Sequence, residues 1–133
     1  MMSKRIALRT AAVAIGAAGA VGVAAIPAFA ATAIEYGDTG AGVACVQEAM
    51  NYLDNAGLSV DSDFGPATLS AVETYQGNHD LSVDGVVGPD TGAAIKASVA
   101  YVVRLAEDNK QTSVADTGIA WENNCDSLLE GAN

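Results

Sequence analysis

Leu58-Ser59-Val60-Asp61 returns as Leu81-Ser82-Val83-Asp84, 23 residues later. The register persists beyond the tetrapeptide. Gly65-Pro66 matches Gly88-Pro89, Thr68 matches Thr91, and Ala71 matches Ala94, so positions 58–71 hold 8 identities in 14. Phe64/Val87 and Val72/Ile95 agree in character. An internal repeat of this length signals one supersecondary unit used twice. Each copy opens with an extended piece that is apolar at i and i+2. A turn follows, Asp61-Ser62-Asp63 in the first copy and Asp84-Gly85 in the second. Gly-Pro then starts a helix, with Pro66 and Pro89 at the first helical position, where a missing N–H costs nothing.

Working outward, the helices are expected from Pro66 to about Gln76 and from Pro89 onward. Leu69, Val72 and Tyr75 keep one face of the first apolar, and Ile95, Val99 and Val102 do so for the second. Upstream, Val43, Val46, Met50 and Leu53 recur at spacings of 3, 4 and 3, which predicts a helix over about 41–55. Gly37-Asp38-Thr39-Gly40 is its turn and cap region. Asn55-Ala56-Gly57 ends it, Gly57 suiting a left-handed position. The expected fold is all-α: a small three-helix bundle with an internal pseudo-repeat.

The flanks set the compartment and the charge. Lys4, Arg5 and Arg9 precede an uncharged Ala/Gly-rich run from Ala11 to Ile26, then Pro27 and Ala28-Phe29-Ala30. This is the pattern of a secretory signal peptide over residues 1–30, with cleavage expected after Ala30. An uncleaved anchor is the alternative, since no charge lies between Arg9 and Glu35. After cleavage 103 residues remain with 3 basic and 16 acidic side chains, a net charge of −13. Such a polyanion lacks the Lys and Arg that nucleic acid binding needs, and no membrane association is expected once the signal is removed. The cysteines are Cys45 and Cys125 alone. In an oxidising compartment an even pair reads most simply as a disulfide. Two free thiols, or a metal pair short of the four ligands zinc wants, are the alternatives.

Neither metal binding nor catalysis is well served. Asp80-x-Ser82-x-Asp84-Gly85 imitates the first half of an EF-hand loop, but Thr91 stands where a bidentate Glu is required and Pro89 interrupts. His79, the one histidine, lies beside Asp80, and no G-x-S-x-G element occurs. A carboxylate pair for glycoside hydrolysis needs a cleft that desolvates one partner, which short helices rarely enclose. No catalytic residue, metal ligand or cofactor is therefore assigned.

Taken together, Gly37-Asp38-x-Gly40-x-x-Val43-x-x-Val46-Gln47, Val60-Asp61 through Phe64-Gly65-Pro66-x-Thr68-x-x-Ala71-Val72-x-x-Tyr75-Gln76, and Leu81-x-Val83-Asp84-Gly85-Val86-Val87-Gly88-Pro89-x-Thr91 resemble the peptidoglycan-binding domain family. The resemblance spans residues 37–98, after a short lead at 31–36. It implies a three-helix, non-catalytic module that docks on bacterial cell-wall peptidoglycan, through glycan strand or stem peptide, with a separate cell-wall enzyme as a further partner. Two alternative functions stand beside it: a small secreted protein-interaction or inhibitor protein using the same fold, and, third, an autonomous cell-wall hydrolase. The ligand candidates are Asp61, Gln76, Asn78, Asp84 and Trp121. Asp61 and Asp84 either meet ligand amides or cap their own turns. Tyr75 belongs to the core.

Residues 99–133 fall outside the resemblance. Ser98–Asp108 is expected to prolong the third helix, and 110–117 reads as a polar loop. A Cys45–Cys125 disulfide would strap the tail over the first helix. Trp121 then either covers the core near Val46 or Leu53, or stacks on a sugar.

Overall fold

The computed structural model describes residues 33–129. The signal peptide expected over 1–30 lies outside them. Four helices follow in order: α1 (Ala41–Asp54), α2 (Pro66–Asn78), α3 (Pro89–Asp108) and α4 (Thr112–Leu129). There is no sheet among the described residues, only two isolated antiparallel bridges, Ile34 with Val87 and Thr39 with Asp63.

The repeat governs the first three helices. Pro66 and Pro89 begin α2 and α3 after extended glycines, Gly65 and Gly88. Asn55, at φ 52°, ends α1 in the left-handed region, and its N–H and that of Ala56 satisfy the carbonyls of Asn51 and Met50. Gly57 is left-handed as well. Repeat mates share burial: Phe64 and Val87, Thr68 and Thr91, Val72 and Ile95 are all buried. Val43, Val46, Ala49 and Met50 of α1 complete this core with Tyr75 and Val99. Tyr75 also joins its own repeat mate, its hydroxyl lying 2.8 Å from Ser98 Oγ.

The extended lead ties the two copies together. Ile34 exchanges both backbone hydrogen bonds with Val87, while Gly37 N–H donates to Phe64 O and Gly40 N–H to Ser62 O. One short stretch therefore pairs with the turn of each copy.

The tail differs from the expected loop. Lys110, left-handed at φ 58°, turns the chain, and α4 starts at Thr112, inside the segment that reads as polar loop. Ser113, Asp116 and Thr117 carry that polar reading, but Ala115, Gly118, Trp121, Cys125 and Leu129 form a buried stripe at spacings of 3, 3, 4 and 4. This stripe packs against α3 and α1. Cys45 and Cys125 are bonded, with Cα atoms 5.6 Å apart and a sequence separation of 80. In the chain-entropy model, closing such a loop contributes about 4–5 kcal/mol. Trp121 is 4 % exposed and its indole N–H donates to Cys45 O at 2.8 Å. Gly118 lets α4 come close: a Cβ there would collide with Val103 Cγ2 and Tyr52 Oη. The Lys96–Asp126 ion pair, at 3.4 Å, joins α3 to α4 at the surface.

Candidate functional site

Each copy of the repeat is closed by a glutamine from the preceding helix. In α1, Gln47 Nε2 lies within hydrogen-bond reach of Asp61 Oδ1 (2.8 Å), Asp63 O (3.0 Å) and Thr68 Oγ1 (3.1 Å). Its Oε1 accepts from the N–H groups of Asp61 and Ser62, both at 3.1 Å. In α2, Gln76 Nε2 makes the same set: Asp84 Oδ1 (2.9 Å), Val86 O (3.0 Å) and Thr91 Oγ1 (3.1 Å). Its Oε1 accepts from Asp84 N–H (3.2 Å) and Gly85 N–H (2.9 Å). Asp61 Oδ1 also receives Asp63 N–H, and Asp84 Oδ1 receives Val86 N–H. These are Asx turns held by a buried amide. The turn needs a left-handed residue at its second position, supplied by Gly85 (φ 70°) in one copy and Ser62 (φ 63°) in the other.

The hydrogen bonds act on the aspartates. The Gln47 amide, then the Asp63 N–H, hold the Asp61 carboxyl below the usual carboxylate range. The Val86 N–H, then the Gln76 amide, do the same for Asp84. Both groups are exposed and stay ionised. Burial pushes the hydroxyls of Tyr75 and Tyr52 up instead.

A shallow groove adjoins each turn. The first, of about 680 Å³, runs between the start of α2 and the α1–α2 connection and is lined by Ser59, Asp61, Pro66 and Thr68 among others. The second, of about 510 Å³, lies at the start of α3 and is lined by Ser82, Asp84, Pro89 and Thr91. Three aspartates border each, Asp54, Asp61 and Asp63 in the first and Asp80, Asp84 and Asp90 in the second, and neither has a Lys or Arg in its lining. A third groove, of about 1000 Å³, lies between α1 and α4 beside Tyr52, Val114 and Trp121.

The candidate residues divide accordingly. Asp61 and Asp84 line the first two grooves and cap their turns at once, so the two roles are not exclusive. Gln76 is a correction: it is fully buried, and both ends of its amide are spent on the turn, leaving nothing for a ligand. Asn78 is exposed at the end of α2 and lines none of the three grooves. Trp121 borders the α1–α4 groove, with its N–H committed to Cys45 O and its ring buried, so it offers no free platform for a sugar. Tyr75 is fully buried, with the His79 ring stacked 4.1 Å away. Gln47, Thr68 and Thr91 are the residues that residue-by-residue reading passes over. Gln47 precedes Asp61 by 14 residues and Gln76 precedes Asp84 by 8, so a search at one fixed offset misses the pair. Among the described residues, one cluster has metal-ligand types, Cys45, Glu48 and Cys125, and its two sulfurs are joined to each other.

Comparison with known proteins agrees with this geometry. Residues 39–95 match the family model described as "Putative peptidoglycan binding domain", a segment that contains both glutamine-closed turns and both of their grooves. No curated protein and no solved structure matches the chain. Residues 39–95, the segment that holds both closed turns and the helices that frame them, are thus similar to the peptidoglycan-binding domain family.

Proposed function

We propose that the protein is an exported, non-catalytic module that holds itself at the bacterial cell wall by binding peptidoglycan. The observation that carries this reading is the family match over residues 39–95, which takes in both turn grooves. Export is supported by the basic start, apolar run and Ala28-Phe29-Ala30 of the sequence. Among the described residues no helix is long and apolar enough to cross a membrane, which fits residence at the wall. The groove linings include the exposed Ser59 and Ser82 and the carboxylates of Asp61 and Asp84, and they suit neutral sugar hydroxyls, peptide N–H groups or an ammonium, all of which donate hydrogen bonds. Non-catalytic action is supported by the exposure of Asp61 and Asp84 and the lowering of their pKa, the opposite of what a general acid requires.

The test is sedimentation with purified sacculi at low salt. The disulfide-bonded protein is expected in the pellet, and incubation is expected to release no soluble muropeptides. Protein that stays in the supernatant overturns wall binding. Released muropeptides overturn the non-catalytic part alone.

A further inference from the structure

The two turn grooves are built on equivalent positions of the repeat. Ten residues line the smaller groove, and each lies 23 positions after a residue that lines the larger one. Six of these ten pairs are identical: Leu58/Leu81, Ser59/Ser82, Asp61/Asp84, Gly65/Gly88, Pro66/Pro89 and Thr68/Thr91. The fold alone needs only some of them. Thr68 and Thr91 serve the glutamine amides, and the glycines and prolines start helices. Ser59 and Ser82 are exposed, and their side chains make no hydrogen bond among the described residues, yet they too are repeated in the lining of each groove. The backbone around Asp61 and Asp84 is held in the same way, so each groove presents one equivalent carboxylate beside an equivalent serine, while the other two aspartates of each groove occupy different positions.

The grooves also ride on one support. The lead joins the second turn at the Ile34–Val87 bridge and the first at the Thr39–Asp63 bridge. Thr39 lies five positions after Ile34, so the two bridges lie within roughly 18 Å of each other. Peptidoglycan is a polymer of one repeating unit. A repeated polymer meeting two equal grooves at fixed separation is the geometry in which a second binding event becomes intramolecular.

We propose that the domain is bivalent: each groove takes an equivalent unit of the same peptidoglycan, through groups that donate hydrogen bonds to the groove's carboxylate and carbonyls. This rests on the wall-binding reading above. Bivalence makes retention on intact wall stronger than affinity for a single fragment, by the effective concentration that the shared support provides.

The test uses the disaccharide–tetrapeptide monomer of peptidoglycan as probe, with calorimetry for stoichiometry and amide NMR shifts for location, beside sedimentation with intact sacculi. Two monomers per chain are expected, with shifts around Ser59–Thr68 and around Ser82–Thr91. Ser59→Trp and Ser82→Trp, each filling one groove from an exposed position, should each reduce the stoichiometry to one and lower retention on sacculi at least tenfold. If a tryptophan alters the melting temperature, Ser59→Arg and Ser82→Arg repeat the blockade. A wild-type protein that sediments with sacculi but saturates with one monomer, or whose shifts avoid either groove, overturns bivalence and leaves wall binding intact. A wild-type protein that does not sediment overturns both.

Discussion

Gln47 and Gln76 each place one amide among polar groups that water reaches poorly. Each supplies two hydrogens and one acceptor oxygen to a turn whose own backbone cannot close it. Leucine fits the volume but leaves the threonine hydroxyl and the turn N–H groups without partners, and unpaired buried groups cost more than a hydrogen bond returns. Gln47→Leu and Gln76→Leu should each lower unfolding free energy by about 2–3 kcal/mol in urea titrations, while Ser59→Ala leaves it unchanged. The aspartates carry a pH signature. Their folded pKa lies below the unfolded value, so their contribution is present in full above the ordinary carboxylate value of about 3.9 and is lost as pH falls through the lower folded value. The melting temperature should therefore drop below about pH 4. Asp61→Asn with Asp84→Asn, which keeps an acceptor at Oδ1 but removes the titration, should flatten that part of the curve.

Among the elements, α4 is the one that distinguishes this chain from the bare repeat. It stands on three supports: the disulfide, the Trp121 hydrogen bond to Cys45 O, and the close approach at Gly118. Glycine inside a helix costs about 1 kcal/mol against alanine, so on propensity Gly118→Ala should stabilise. The added methyl would meet Val103 and the Tyr52 hydroxyl, which itself donates to Val114 O. Overpacking of this kind costs about 1–3 kcal/mol, so the expected net effect is a lower melting temperature, read by thermal denaturation under non-reducing conditions. This element also marks where sequence reading stops. Pro66, Pro89 and the 23-residue offset make α2 and α3 visible because each carries its own start signal and repeats the other. The start of α4 has neither a proline nor a repeat mate. Ser113, Asp116 and Thr117 look like loop, and the apolar stripe that makes the segment helical opens with an alanine and a glycine that periodicity barely registers. The candidate site was half legible for a similar reason. Asp61 and Asp84 repeat in the sequence, whereas the burial of Gln76 depends on how α2 packs over the second turn.

At the scale of the molecule, charge and covalent closure decide behaviour. Beyond the first thirty residues, three basic side chains face sixteen acidic ones, and the basic three, Lys96, Arg104 and Lys110, lie on α3 or just after it, away from both turn grooves. A wall that carries anionic polymers repels such a domain. Adding salt screens that repulsion over about 10 Å at 0.1 M, so retention on teichoic-acid-bearing sacculi should hold or rise between low and moderate salt. A steep fall in sedimentation would show that attraction between opposite charges holds the complex. The covalent closure has a consequence in time. Chains grow from the N-terminus at about 5–20 residues per second, so the 80 positions from Cys45 to Cys125 take roughly 4–16 seconds to make. For that interval Cys45 is a thiol on a helix whose covering partner does not yet exist. The repeat is complete in sequence before α4 begins, and its two glutamine-closed turns, which tie α1 to the first copy and α2 to the second, use no residue of α4. The disulfide is thus the one link between α1 and α4 that cannot exist until Cys125 has been made, long after every residue of the repeat.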